Sequence, residues 1–134
     1  ISFDEAFNHV VDAIPPGWQF PDITRVKLEY KGNTYTTEHF TESLWFQRAD
    51  IKVNDEIVGH ISVYYIKPVR DYDEGPFLKE ERKLLNTISE RLSHFILHKD
   101  TFAFISELQP VFIRPRATRK IRGYFSFLID APSV

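Results

Sequence analysis

His94 and His98 stand four residues apart, with Glu90 one turn earlier. On a helix this spacing puts two imidazoles on one flank, where a divalent ion would take them as ligands. The order is not the His-Glu-x-x-His of a metalloprotease, and no third ligand is evident. A solvated flank near a helix C-terminus, where the dipole favours histidine, is the plainer account, and no metal or cofactor is expected. Asp71, Asp73 and Glu74 form an acidic group. A calcium loop needs regularly alternating oxygen ligands and a distal glutamate, and Asp71-x-Asp73 only begins one. Acids near a helix N-terminus explain the group more simply. Ser43, Ser62, His60 and Asp50 supply a nucleophile, a base and an orienter by type, but none sits in a nucleophile elbow. The five glycines are scattered and make no phosphate-cradling loop. No catalytic residue stands out, and the expectation is a protein that is not an enzyme.

A small-molecule site has better material. Tyr35, Trp45, Gln47, His60 and Tyr64 are the candidate ligand-binding residues, because aromatics with a few polar groups line such pockets. Strand parity divides them: Trp45 and Gln47 share one face, His60 and Tyr64 the other, so a regular sheet does not gather all five into one cavity. Core packing is the plainer account of Trp45. Arg114, Arg116, Arg119, Lys120 and Arg122, with Phe112 and Tyr124 nearby, have the types that hold phosphates and stack bases. The chain as a whole is acidic, at −2, and a solvated connector accounts for them, so no nucleic-acid partner is expected.

The elements that must position these residues are legible from periodicity. Residues 77–99 have the longest helical pattern. With Ile88 at the centre of the face, Phe77, Leu84, Leu85, Leu92 and Phe95 fall within about 60° of it. Glu81 is the one charge near the middle of the stripe, in the early turns where an acid is best tolerated. Leu97 points the other way. Residues 2–14 read as a first helix, capped by Ser2 with Glu5 three residues on. Pro15-Pro16-Gly17 stops it, and Trp18 to Pro21 form an aromatic connector that should pack. Alternation predicts strands at 23–30, 34–37, 44–53 and 57–67, joined by turns at Lys31-Gly32-Asn33 and Asn54-Asp55-Glu56. Gly59 marks a bulge or a close backbone approach. Residues 38–43 read as a short polar link, and 68–75 as an acidic loop leading to Pro76, a residue suited to a first helical position. Hairpin connections imply an antiparallel sheet, its apolar face covered by the two helices and its outer face wet or covered by something polar.

Length and composition bound the rest. At 134 residues and 43% hydrophobic, the chain suits one domain plus an extension. The absence of cysteine excludes disulfides and thiol chemistry. No apolar run is long enough to span a bilayer, and no signal peptide opens the chain, so a soluble cytoplasmic protein with no membrane partner is expected. Residues 1–98 hold 11 Lys and Arg against 16 Asp and Glu, while residues 99–134 hold 6 against 3. That switch in charge suggests a boundary between a domain at 1–99 and a C-terminal extension at 100–134. The extension has a short helical pattern after Asp100 and a strand-like run at Tyr124 to Ile129. It reads as a covering segment, a partner-contact arm or the start of a following unit.

The order helix, antiparallel strands, long helix resembles the plan of GAF and PAS sensor domains. Glu56-Ile57-Val58-Gly59-His60-Ile61-Ser62-Val63 looks like the GAF hairpin that enters a glycine and an apolar strand, and Asp73 to Leu92 looks like the GAF ending. The set Pro15-Pro16-Gly17-Trp18-Gln19, Trp45-Phe46-Gln47 and Gly75-Pro76-Phe77-Leu78 is similar to N-terminal regulatory domains of bacterial sensor histidine kinases and of phosphoenolpyruvate-synthase-like proteins. The resemblance implies an α+β fold: an antiparallel sheet of about four to six strands with the N- and C-terminal helices on one face. It implies a non-catalytic sensory or regulatory module of a larger signalling protein. Such a module would couple a small ligand or partner to a downstream output domain in the same chain, as a homodimer. The alternative is a ligand-free structural dimerisation module. The sequence departs from the family at Leu78, where many members place a Ser or Thr cap. It also lacks the cyclic-nucleotide signature and the long interstrand insertions that close a GAF pocket, so any pocket should be shallow, or closed by the extension or a partner.

Overall fold

The computed structural model describes residues 2–98. The expectations for the extension, including its arginine group, lie outside them. The described residues form an α+β unit with one open sheet and two helices, α1 (Phe3–Ala13) and α2 (Lys79–His98). The strands are β1 (Thr24–Tyr30), β2 (Asn33–Thr36), β3 (Trp45–Val53) and β4 (Glu56–Tyr65). All neighbours are antiparallel, in the order β2-β1-β4-β3.

Both hairpins turn on two residues. Lys31 and Gly32 have φ of 47° and 82°, and Asn54 and Asp55 have φ of 53° and 65°. Two consecutive positive φ angles make a turn whose twist matches that of the strands. β4 carries one irregularity. Ile51 pairs with Gly59 but Lys52 pairs with Ile57, which leaves Val58 as an extra residue. Its carbonyl instead accepts from Lys31 N at 3.0 Å. The bulge expected near Gly59 is therefore present, and Gly59 also lies against the backbone of β1.

The core lies between one sheet face and the two helices. α1 rests on β1 and β2, and α2 lies along β3. Phe7, Val11, Leu28, Ile51, Ile61, Leu85 and Ile88 are fully buried there. Phe7 meets Tyr30, Tyr35 and Phe95 edge to face, with centroids 5.2 to 6.2 Å apart. Such pairs each add about 1 kcal/mol beyond area burial. β3 is an edge strand, and α2 guards its free carbonyls. Arg82 Nη1 donates to Arg48 O at 2.8 Å, and the Ser89 hydroxyl donates to Asp50 O. Satisfying those carbonyls discourages pairing with another strand.

Two sequence expectations change. The long helix begins at Lys79, not at Phe77. Phe77 exchanges both backbone bonds with Glu74, each 2.9 Å, so its backbone groups are already engaged. Its ring stacks on Tyr65 at 4.6 Å and is fully buried. The link before β3 is also more than polar: Phe40 crosses the outer face and meets Tyr64 edge-on at 5.3 Å.

With no Ser or Thr at Leu78, the start of α2 is capped from elsewhere. Asp73 Oδ2 accepts from Lys79 N at 2.9 Å, and Glu81 Oε1 accepts from Leu78 N at 2.8 Å. Replacing Asp73 with alanine should cost about 1 kcal/mol of stability, the usual worth of a helix cap. Urea denaturation checks it, and an unchanged midpoint would mean that water serves the Lys79 amide equally well.

Candidate functional site

The five candidate ligand residues divide as parity requires. On the inner face, Gln47 is buried and its Oε1 accepts from Trp18 Nε1 at 2.9 Å. Trp45 is half-buried and packs against the core. Tyr35 is buried, and its hydroxyl donates to Asp4 Oδ1. On the outer face, Tyr64 is only 3% exposed, beneath Phe40 and beside Phe46. His60 Nε2 lies 3.2 Å from Glu29 Oε1. The structure thus brings Tyr64 and His60 onto one sheet face and Tyr35, Trp45 and Gln47 onto the other.

Tyr35 gives a testable titration. Burial, and then the hydrogen bond to Asp4, push its phenol up to about 12. The folded value lies above the free value of about 10, so the protonated form is favoured by folding. This contribution is intact below pH about 10 and is lost as pH rises through about 12. Alkaline difference absorbance should show an Asp4→Asn variant with an earlier-titrating tyrosine. Superimposable curves would remove Asp4 as a partner.

The outer face carries a charged cluster. Lys27 Nζ lies 3.2 Å from Glu29 Oε1, contacts Glu42, and sits 5.8 Å from the ring centroids of Phe40 and Tyr64. Its hydrogen bond to Glu42 raises the Lys27 ammonium above its ordinary value. Burial works to raise the Glu29 carboxyl, but hydrogen bonds from Lys27 and His60 outweigh it and hold the group below the usual carboxylate range. Ser62 accepts from Arg48 Nε at 2.9 Å, and the Ser43 hydroxyl donates to Tyr65 O at 2.6 Å. These contacts brace the sheet, and neither partner, a guanidinium or a backbone carbonyl, is a general base.

The inner face holds a buried polar joint that the candidate set did not contain. Glu81 is fully buried. Its Oε2 accepts from Gln19 N at 2.7 Å and from Tyr65 OH at 3.3 Å, while Oε1 takes Leu78 N. Burial, and then the Glu81 carboxylate, drive the Tyr65 phenol far above its ordinary value. Beside the joint, Arg82 grips Glu74 with two bonds of 2.7 Å and holds that carboxyl below the usual range. The joint ties the connector after α1 to β4 and to the first turn of α2. Its sequence signal was the lone acid within an apolar stripe.

His94 and His98 lie with ring centroids 4.2 Å apart near the end of α2. Among the described residues no group of three or more His, Cys, Asp or Glu is placed to hold a metal ion, and no helix is long and apolar enough to cross a membrane. Comparison of the chain with known protein families, with characterised proteins and with solved structures finds no match.

Proposed function

We propose that the chain is a non-catalytic, GAF-like sensory or regulatory module of a larger cytoplasmic signalling protein. In this reading a small ligand or partner alters how α1 and α2 pack on the sheet, and α2 passes the change to a downstream output domain. The observation that carries the reading is the Glu81 joint. One carboxylate holds Gln19 N at 2.7 Å and Leu78 N at 2.8 Å, so the chain leaving α1 and the chain entering α2 share a partner. A shift of either helix alters a bond to the other. A ligand acts through such a joint only if it prefers one packing over the other.

A second reading, a ligand-free structural dimerisation module, is favoured by the packing of the inner face. Tyr35 and Gln47 are buried, and large side chains fill the space between helices and sheet. Leu97, half-exposed on α2, offers an apolar contact to a second copy. Native mass spectrometry separates the readings. The sensory reading expects a bound small molecule, or a metabolite that raises the melting temperature and slows hydrogen exchange at Gln19 and Leu78. A ligand-free dimer whose melting temperature no metabolite moves would overturn it in favour of the second.

A further inference from the structure

We infer that the free edge of β2 takes up residues 124–129 of this same chain as a fifth, antiparallel strand. The open sheet has β2 at one edge and β3 at the other, and the two are treated differently. Thr37 N donates to Val26 O at 3.1 Å, which sets the phase of the β1–β2 ladder. Bonded pairs alternate along an antiparallel ladder, so Tyr35 bonds to Leu28 while the backbone groups of Thr34 and Thr36 face away from β1. On the β3 edge, Arg82 and Ser89 take up the outward carbonyls of Arg48 and Asp50. Among the described residues nothing takes up those of Thr34 and Thr36. Open edges are commonly blunted by charge or proline. β2 reads Asn33-Thr34-Tyr35-Thr36, with neither, and all but Tyr35 are exposed.

Charge selects the occupant. Asp4 takes the Tyr35 hydroxyl, and at the other end of α1 Asp12 stands with Glu38 beside Thr37. His9 and Arg25 share that end, but the Arg25 guanidinium donates to the carbonyls of Asp22, Thr24 and His39. Because α1 rests on β2, a second copy pairing edge to edge would set the two α1 helices antiparallel, Asp4 of each copy towards Asp12 of the other. Like charges so placed oppose that pairing. An apolar strand with a basic lead suits the edge instead. Tyr124-Phe125-Ser126-Phe127-Leu128-Ile129 is rich in strand formers, and Arg119, Lys120 and Arg122 precede it. Antiparallel to β2, the segment brings this basic run to Asp12 and Glu38, and Asp130 to Lys31 at the hairpin. The parallel direction would bring the basic run to Lys31. Reach is ample: α2 ends near the hairpin, since Phe95 meets Phe3 and Phe3 meets Tyr30. Residues 99–123 connect it to the segment, and an extended chain covers about 3.3 Å per residue.

This inference does not depend on the sensory reading. Amide hydrogen exchange of the full chain tests it. Thr34 and Thr36 should exchange at least about tenfold more slowly than in a Phe125→Ser, Phe127→Ser variant, which leaves residues 2–98 unaltered. Thr36→Pro blocks the outward side of β2 but spares the bonds of Tyr35 and Thr37 to β1, and slow exchange at Leu28 verifies that β2 stays paired. It should release the amides of residues 124–129 to fast exchange. If Thr36→Pro loosens β2 itself, the double serine variant decides alone. Fast exchange at Thr34 and Thr36 in the full chain would overturn the inference, as would equal rates in the serine variant. Protection that rises with protein concentration would assign the edge to a second copy and overturn the choice of occupant.

Discussion

Replacing Glu81 with alanine is expected to lower the unfolding free energy by about 4 kcal/mol, at the upper end of what single substitutions do. The carboxylate is fully buried and takes bonds from Gln19 N, Leu78 N and Tyr65 OH. Alanine leaves one buried donor and two partly buried ones without an acceptor, and each orphaned group costs about 1–3 kcal/mol, least where water reaches it. A domain of this size loses about 4–8 °C in melting temperature per kcal/mol, so the midpoint should fall by roughly 20 °C. Glu81→Gln separates hydrogen bonding from charge. Its amide oxygen still serves one side, but its NH₂ group meets donors on the other, so about half the loss should remain. Hydrogen exchange should quicken at Gln19 and Leu78 in both variants. An alanine variant that loses less than about 1 kcal/mol would mean that water replaces the carboxylate, and the joint would then not couple the two helices.

How much of this was legible in the sequence depends on the range of the interaction. Alternation placed Val26, Leu28, Ile61 and Val63 on the inner face, where they are fully buried. It also separated Trp45 and Gln47 from His60 and Tyr64, because side-chain direction in a strand is a local property. The charge at Glu81 stood out for the same reason, as a break in a 3.6-residue period. Its partners did not. Gln19 lies 62 residues away and contributes a backbone N–H, which leaves no mark on the residue type. Asp73 looked like one acid among three, and its role as a cap depends on how the loop folds back to reach Lys79 N six residues on. Phe77 fits the helical period, yet its backbone pairs with Glu74 instead, because a tertiary contact overrides a short periodic signal. Phe40 sat in a link read as polar, so its cover over Tyr64 had no pattern to announce it.

Gly59 offers the second large effect, and here space is the cause. A Cβ on this residue would lie 1.9 Å from Glu29 O and 2.9 Å from Glu29 C. Both obstacles are backbone, so no side-chain rotation relieves the clash. Gly59 faces Tyr30 across the central β1–β4 pair, beside the bulged Val58 whose carbonyl takes Lys31 N at 3.0 Å. Separating the strands would disturb that bond, the hairpin turn and the inner-face packing of Tyr30 and Leu28 together. Gly59→Ala is therefore expected to cost about 3 kcal/mol or more, as overpacking against an unyielding neighbour does. Gly32 supplies the control. Its φ is +82°, but a Cβ there meets nothing within 4 Å, so Gly32→Ala carries only torsional strain. That strain amounts to about 1 kcal/mol. Chemical denaturation of the two variants should place Gly59→Ala well below Gly32→Ala, with faster amide exchange along β1. Equal midpoints would mean that the sheet yields at the bulge, and that Gly59 is required neither for the register of β4 nor for the approach of β1.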